Sequence, residues 1–172
     1  MNRFRTPLLF VFAVISLAGC ATAIPLQPPP AALKIAVETV EKGVGGAYAE
    51  PGTDTQLVWP QIRVIADQGE FTSFWGSLHR NMTPLPPLPS VDFSRHDVVA
   101  VVDMVRPTGG YGIEVQEAQE GMDGIWLTII RTKPGEGCIT TQSLTQPYHL
   151  VAIRKSGKRC IPSYVDVIYP CP

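Results

Sequence analysis

A chain of 172 residues, 45% hydrophobic, with 14 basic and 15 acidic side chains, is long enough to bury one core and too evenly charged to call for nucleic acid as a partner. Its four cysteines and three histidines are widely spaced and form none of the short ligand pairs of a zinc site, so neither a metal nor another cofactor is expected.

The first segment carries Arg3 and Arg5, then an apolar stretch from Pro7 to Leu17, then the small residues Ala18 and Gly19 ahead of Cys20. A positive start, a short greasy run and a small-residue cleavage site are the parts of a secretory signal. The run is too short to span a bilayer, which takes about twenty residues. Leu17-Ala18-Gly19-Cys20 also resembles the lipobox of bacterial lipoproteins. That resemblance implies cleavage between Gly19 and Cys20, a diacylglycerol on the Cys20 thiol and acylation of the new amine. Two or three acyl chains hold a protein on a membrane stably. With Ala21 next, the resemblance implies the periplasmic leaflet of the outer membrane if the host is Gram-negative. Removing residues 1–19 takes two of the 14 basic residues and none of the 15 acidic ones, leaving a net charge of −3. Residues 20–32 are proline-rich and read as an extended, lipid-bearing tether, followed by one domain over residues 33–172.

Leu33 to Val40 fits a strand or a short helix, and Gly43, Gly45, Gly46, Pro51 and Gly52 mark irregular chain. A strand is expected over Gln56 to Ala66, interrupted by Pro60. Phe71, Phe74, Trp75 and Leu78 recur at i, i+3, i+4 and i+7 and predict a helix over Glu70 to Arg80. Thr83 to Pro89 holds four prolines and can be neither helix nor central strand, so it is expected to pack as a rigid connector. Val98 to Val105 is nearly continuous apolar chain, which suits a strand buried on both faces. Beyond the break at Arg106 to Gly110, Tyr111, Ile113 and Val115 alternate with Gly112, Glu114 and Gln116, the period of a half-buried strand. Glu120 to Gly124 reads as a turn before a strand over Ile125 to Thr132, and a loop runs from Lys133 to about Pro147. Two last strands, Tyr148 to Arg154 and Ser163 to Tyr169, flank the basic residues Arg154, Lys155, Lys158 and Arg159, read as a solvated hairpin tip. Short turns imply antiparallel neighbours. The expected fold is therefore α+β, a mostly antiparallel five-strand meander with one packed helix.

With Cys20 lipidated, Cys138, Cys160 and Cys171 allow three pairings in an oxidising compartment. A terminal hairpin turning near residue 158 would set Cys171 beside the loop that contains Cys138 and leave Cys160 at the far end of a strand. Bridged cysteines need Cα atoms within about 7 Å, which favours Cys138 with Cys171.

Several blocks further resemble one family. They are Val91-Asp92-Phe93-Ser94, Pro107-Thr108-Gly109-Gly110-Tyr111-Gly112-Ile113-Glu114-Val115, Lys133-Pro134-Gly135-Glu136-Gly137-Cys138, and Thr145-Gln146-Pro147-Tyr148-His149-Leu150-Val151. Together they make residues 91–154 resemble the protease complex subunit PrcB family. The resemblance implies a protein–protein role in stabilising or maturing an exported protease, and it brings no shared catalytic residues. The chain departs from it at Gly112, where a serine is common in the family.

Gly109-Gly110-Tyr111 reads as a tight turn or a close backbone approach, with Tyr111 stacking on a neighbour; phosphate-cradling glycines precede a helix, and here a strand follows. Cys138 with His149 is the one conceivable nucleophile and base. Ser94 and Ser143 lack any Gly-x-Ser-x-Gly context, and no carboxylate pair stands out, so no catalytic residue is expected. Asn81-Met82-Thr83 matches a glycosylation sequon and is read as chance. The expectation is a lipid-anchored envelope protein, held on the membrane through Cys20, that binds another envelope or exported protein, with a protease favoured and an open sheet edge as the docking element. Its rivals are a protease inhibitor that inserts Thr83 to Pro89, a structural envelope lipoprotein, and a Cys138-dependent hydrolase.

Overall fold

The computed structural model describes residues 27–45 and 60–171. The expected leader, Gly19, Cys20 as the expected lipid site and the expected tether up to residue 26 lie outside the described residues, as do residues 56–59 of the expected strand before Pro60. The strands are β1 (Leu33–Ile35), β2 (Glu38–Gly45), β3 (Gln61–Ile65), β4 (His96–Val102), β5 (Gly112–Glu120), β6 (Ile125–Pro134), β7 (Gln146–Arg154) and β8 (Cys160–Tyr169), with one helix, α1 (Gln68–Leu78), after β3.

The α+β class holds, but the single meander gives way to two four-stranded sheets, ordered β1-β5-β6-β8 and β2-β7-β4-β3. The chain from Leu33 to Val40 is two strands, one in each sheet. Gly43 and Gly45, expected in irregular chain, sit in β2. A Cβ on Gly43 would lie 2.9 Å from Tyr148 Oη, so the glycine there serves close packing.

Three layers result. Helix α1 covers one face of the β2-β7-β4-β3 sheet, and the other sheet covers the opposite face. Residues of β4 and β7 alternate between the two cores: Val98, Ala100, Val102, Tyr148 and Leu150 meet Phe71, Phe74, Trp75 and Leu78 of the helix. Val99, Val101, Val151 and Ile153 meet Ile113, Val115, Leu127 and Ile129 of the second sheet. A strand with a hydrophobic layer on each face must be apolar at every position, which is why Val98 to Val102 shows no alternation. Each large side chain buried in these layers contributes roughly 1.5–3 kcal/mol. Asp67 caps α1, accepting from the Glu70 backbone N–H at 2.9 Å, and His79 closes its C-terminal end. Thr83 to Pro89 packs back on the helix, where Trp75 Nε1 donates to Pro86 O at 2.9 Å.

The largest departure from expectation is β8. It forms no hairpin with β7; the chain crosses to the other sheet and β8 pairs in parallel with β6, from Ile125↔Cys160 to Pro134↔Tyr169. The basic residues at the crossover are tied inward and are not a solvated tip. Lys155 Nζ donates to Ala66 O and Phe93 O, Lys158 Nζ meets Glu120 and Gly121 O, and Arg154 meets Glu120. The Lys155 bonds fix the end of β7 to its own sheet's side, the Glu120 and Gly121 contacts bring the crossover against the second sheet, and Gly157 takes φ 66° between them.

Candidate functional site

One end of the layers is built from the residues that the sequence singled out. Asp103, 1% exposed, follows β4 and accepts from Arg106 Nε at 2.7 Å and Nη2 at 3.0 Å. The guanidinium lies 4.9 Å from the centre of the Tyr111 ring. Tyr111 therefore stacks on a cation beside the turn instead of on a neighbouring strand. Gly109 N donates to Thr141 O at 2.9 Å, and a Cβ on Gly109 would collide with Thr141 Oγ1. Gly110 has φ 84°, a conformation strained for any other residue. Thr145 Oγ1 donates to Thr108 O at 2.7 Å, and Gln146 Nε2 to Asp103 O at 3.0 Å. The two loops flanking β5 and β6 are thus one rigid unit.

Cys138 is bridged to Cys171, 33 positions further along the chain, with Cα atoms 5.4 Å apart. The hairpin expected to bring them together does not exist. They meet because β6 and β8 run in parallel: Pro134 sits opposite Tyr169, and Gly135 N donates to Tyr169 O at 2.9 Å, so both chains leave the sheet side by side. Beside the bridge is a cleft of about 330 Å³ lined by Gly110, Pro134, Cys138, Ile139 and Tyr169.

The structure does not assemble a Cys138–His149 pair. The sulfur is spent in the bridge. His149 lies between the sheets, its Nδ1 accepting from Val115 N at 2.9 Å while Nε2 bonds Thr39 Oγ1 at 3.0 Å. Burial, reinforced by Lys42, lowers its pKa to about 4 against the pull of Glu114, so the ring is a neutral stitch between layers. His79 stacks on Trp75 and bonds Trp75 O through Nδ1 and Tyr148 Oη through Nε2, both at 3.1 Å. Trp75 O can only accept, so Nδ1 donates to it and Nε2 accepts from the Tyr148 hydroxyl, whose pKa burial pushes up to about 12. Cys160 is the free cysteine among the described residues, its thiol pushed up to about 11 by burial and by Asp97, far from a thiolate nucleophile. Among the described residues no group of three or more His, Cys, Asp and Glu is placed to hold a metal.

What remains open is the edge of the second sheet. Arg159 O and Tyr169 O both accept from the β6 side, and the ladder between them has no bulge. In a parallel ladder the N–H and C=O of one residue point the same way, so the odd-numbered residues of β8 bond β6. Tyr164, Asp166 and Ile168 turn their N–H and C=O groups outward. Pro162 belongs to this outward set, so its missing N–H costs the sheet nothing. No described strand pairs there. On the same strand Val165 is 43% and Tyr169 57% exposed, with Val167 and Ile168 also exposed. Val165, Val167 and Tyr169 lie opposite Ile130, Thr132 and Pro134 in register. They make an apolar strip that runs to the cleft beside the disulfide. Asp166, the one charge on β8, is neutralised by Arg131 at 2.7 and 2.8 Å and does not guard the edge. The other edges are β1 with three residues, β3 with five, and β2, which is bulged between Thr39 and Glu41. Long, flat, apolar edges are normally blunted or covered; Pro162 blunts the start of this one, and from Tyr164 to Tyr169 no described strand covers it. Pro162 inside a strand pattern was the signal for an edge that sequence reading passed over.

No curated protein and no solved structure matches the chain. One family model, PrcB C-terminal, matches residues 98–154. The match runs from β4 through β7 and takes in the Asp103–Arg106 pair, Gly109-Gly110-Tyr111 and Cys138, while α1 and β8 lie outside it. What this chain shares with the PrcB C-terminal family is thus the stretch from within β4 to the end of β7.

Proposed function

We propose that this chain is a lipid-anchored envelope protein acting as a non-catalytic subunit that binds an exported protease, stabilising it or holding it at the membrane. The observation that carries the reading is the open apolar edge of β8, joined to a rigid loop unit made of the PrcB-type residues. The family match supports a role in a protease complex; the disposition of Cys138 and His149 leaves the hydrolase reading without its nucleophile and base. The inhibitor reading loses its inserted loop, since Pro86 and Leu88 are held against the helix.

In this mechanism an extended segment of the partner adds to β8, bonding the outward groups of Tyr164 to Ile168, and seats an apolar side chain in the cleft by Cys138 and Tyr169. Confinement to the membrane surface raises the effective concentration of partners held there. The test is crosslinking in cells followed by purification of the tagged, full-length lipoprotein. Recovery of an exported peptidase that is lost when residues 33–172 are deleted and the anchor kept supports the proposal. Recovery of abundant lipoproteins alone counts against it.

A further inference from the structure

The end of the molecule opposite the disulfide has its own surface. There Pro29 packs on the β5–β6 turn: a Cβ on Gly121 would lie 3.2 Å from the Pro29 ring. Leu33 begins β1 opposite Glu120, and with Met122 and Pro29 it borders a groove of about 370 Å³. Met122 is 97% exposed at the tip of the turn and Leu33 is 73% exposed, although both are large apolar side chains. Lone exposed apolar residues need no explanation, but these two sit where the chain leaves the domain.

We infer that this end, with Met122 and Leu33 as its contact residues, rests on the lipid bilayer that carries the anchor, and that the loop unit with the Cys138–Cys171 bridge points away from it. The inference rests on the lipid-anchor reading of Cys20. Pro29 lies nine positions after Cys20. Even as a polyproline-like chain that span reaches only about 28 Å. β6 runs ten residues, from beside this turn to the cleft, a distance of about 33 Å. An anchor at Cys20 therefore keeps the Met122 end within reach of the lipid, whereas the Cys138 end could touch it only with the tether drawn out along the whole domain. Contact is apolar and not electrostatic. Glu117 pairs with Lys34, Asp97 with Lys155, and Glu120 is shared by Arg154 and Lys158, so these four cations and three carboxylates leave only one net positive charge. Partner binding then falls to the exposed half of β8, which rises from this end towards the cleft.

The test uses the full lipidated protein in phosphatidylethanolamine–phosphatidylglycerol vesicles doped with a nitroxide-headgroup lipid. Cys160→Ser removes the free thiol, and Met122→Cys or Ile139→Cys carries a fluorophore, Ile139 being fully exposed at the far end. The expected result is quenching several-fold stronger at 122 than at 139, unchanged when salt is raised. Equal quenching at both positions, or stronger quenching at 139, overturns the orientation, and a label at 122 shielded only when a protein partner is added reassigns the surface to that partner. The mass of the N-terminal peptide separates the two layers of the argument. A peptide without diacylglycerol overturns the anchor and the orientation with it, while a lipidated peptide with equal quenching overturns the orientation alone.

Discussion

Taking this protein from pH 7 to pH 5 should lower its folding stability by roughly 1–2 kcal/mol, chiefly through His149. The ring is 2% exposed, and burial holds its pKa near 4, against about 6.5 in an unfolded chain. Between those values the unfolded chain takes up a proton that the native state refuses. The stability is fully present above pH 6.5 and drains away as pH falls towards 4. Over the two units from pH 7 to pH 5 the full shift corresponds to about 2 kcal/mol, and the discount allows for solvent screening near the exposed Lys42–Glu114 pair. The lowered carboxyl of Glu114, bonded to Lys42, and that of Glu120, bonded to Lys158 and Arg154, act in the same direction but at lower pH, from the ordinary carboxylate range downward. Urea unfolding followed by tryptophan fluorescence at pH 7 and pH 5 reads the difference directly. His149→Gln keeps a hydrogen-bonding side chain between Thr39 and Val115 and cannot titrate, so its stability should be nearly flat over the same interval. A wild-type protein equally stable at both values, or a His149→Gln variant that loses as much as the wild type, would refute the reasoning.

Three further outcomes follow from the loop unit. Arg106→Met leaves Asp103 buried without its cation and should cost about 3 kcal/mol, whereas Asp103→Asn with Arg106→Met together should recover part of it; a double-mutant cycle by urea unfolding checks the coupling. Gly110→Ala forces a side chain into φ 84° and should cost about 1–2 kcal/mol, read as a lowered melting temperature. Cys138→Ser opens a 33-residue loop and should cost roughly 2–4 kcal/mol by thermal unfolding without reductant, with the freed Cys171 becoming alkylatable.

How far the sequence reached can be judged from particular residues. Phe71, Phe74, Trp75 and Leu78 announced the helix because one face of a 3.6-residue period is buried, and all four lie in its core. Val98 to Val102 announced a doubly covered strand because two hydrophobic layers leave no polar side. Gly109 and Gly110 were legible as backbone requirements, one of close approach and one of positive φ. Sheet membership was not legible. Alternation tells which residues of a strand are buried but not which sheet it joins, and the short span from Lys155 to Arg159 looked like a hairpin turn. What fixes that span is tertiary: Lys155 reaching Ala66 and Phe93, and Lys158 reaching Glu120, contacts 38 or more residues away. The Cys138–Cys171 pair was thus named through a hairpin that does not form, and its true cause is a parallel register. A last strand is an edge in either arrangement; what the sequence could not show is that β8 pairs with β6, which decides which of its backbone groups face outward.

The most direct test of the account is the outward N–H of Ile168. Ile168→Pro removes that donor from the free edge of β8 and no ladder bond to β6, whereas Val167→Pro removes a ladder bond and should destabilise the fold by about 3 kcal/mol. Partner recovery is measured by crosslinking and purification of the full-length protein carrying Ile168→Pro, with Ile168→Ala as the control for side-chain loss. The account predicts that Ile168→Pro stays folded and loses the partner while Ile168→Ala keeps it. Undiminished recovery with a folded Ile168→Pro protein would contradict docking at the β8 edge.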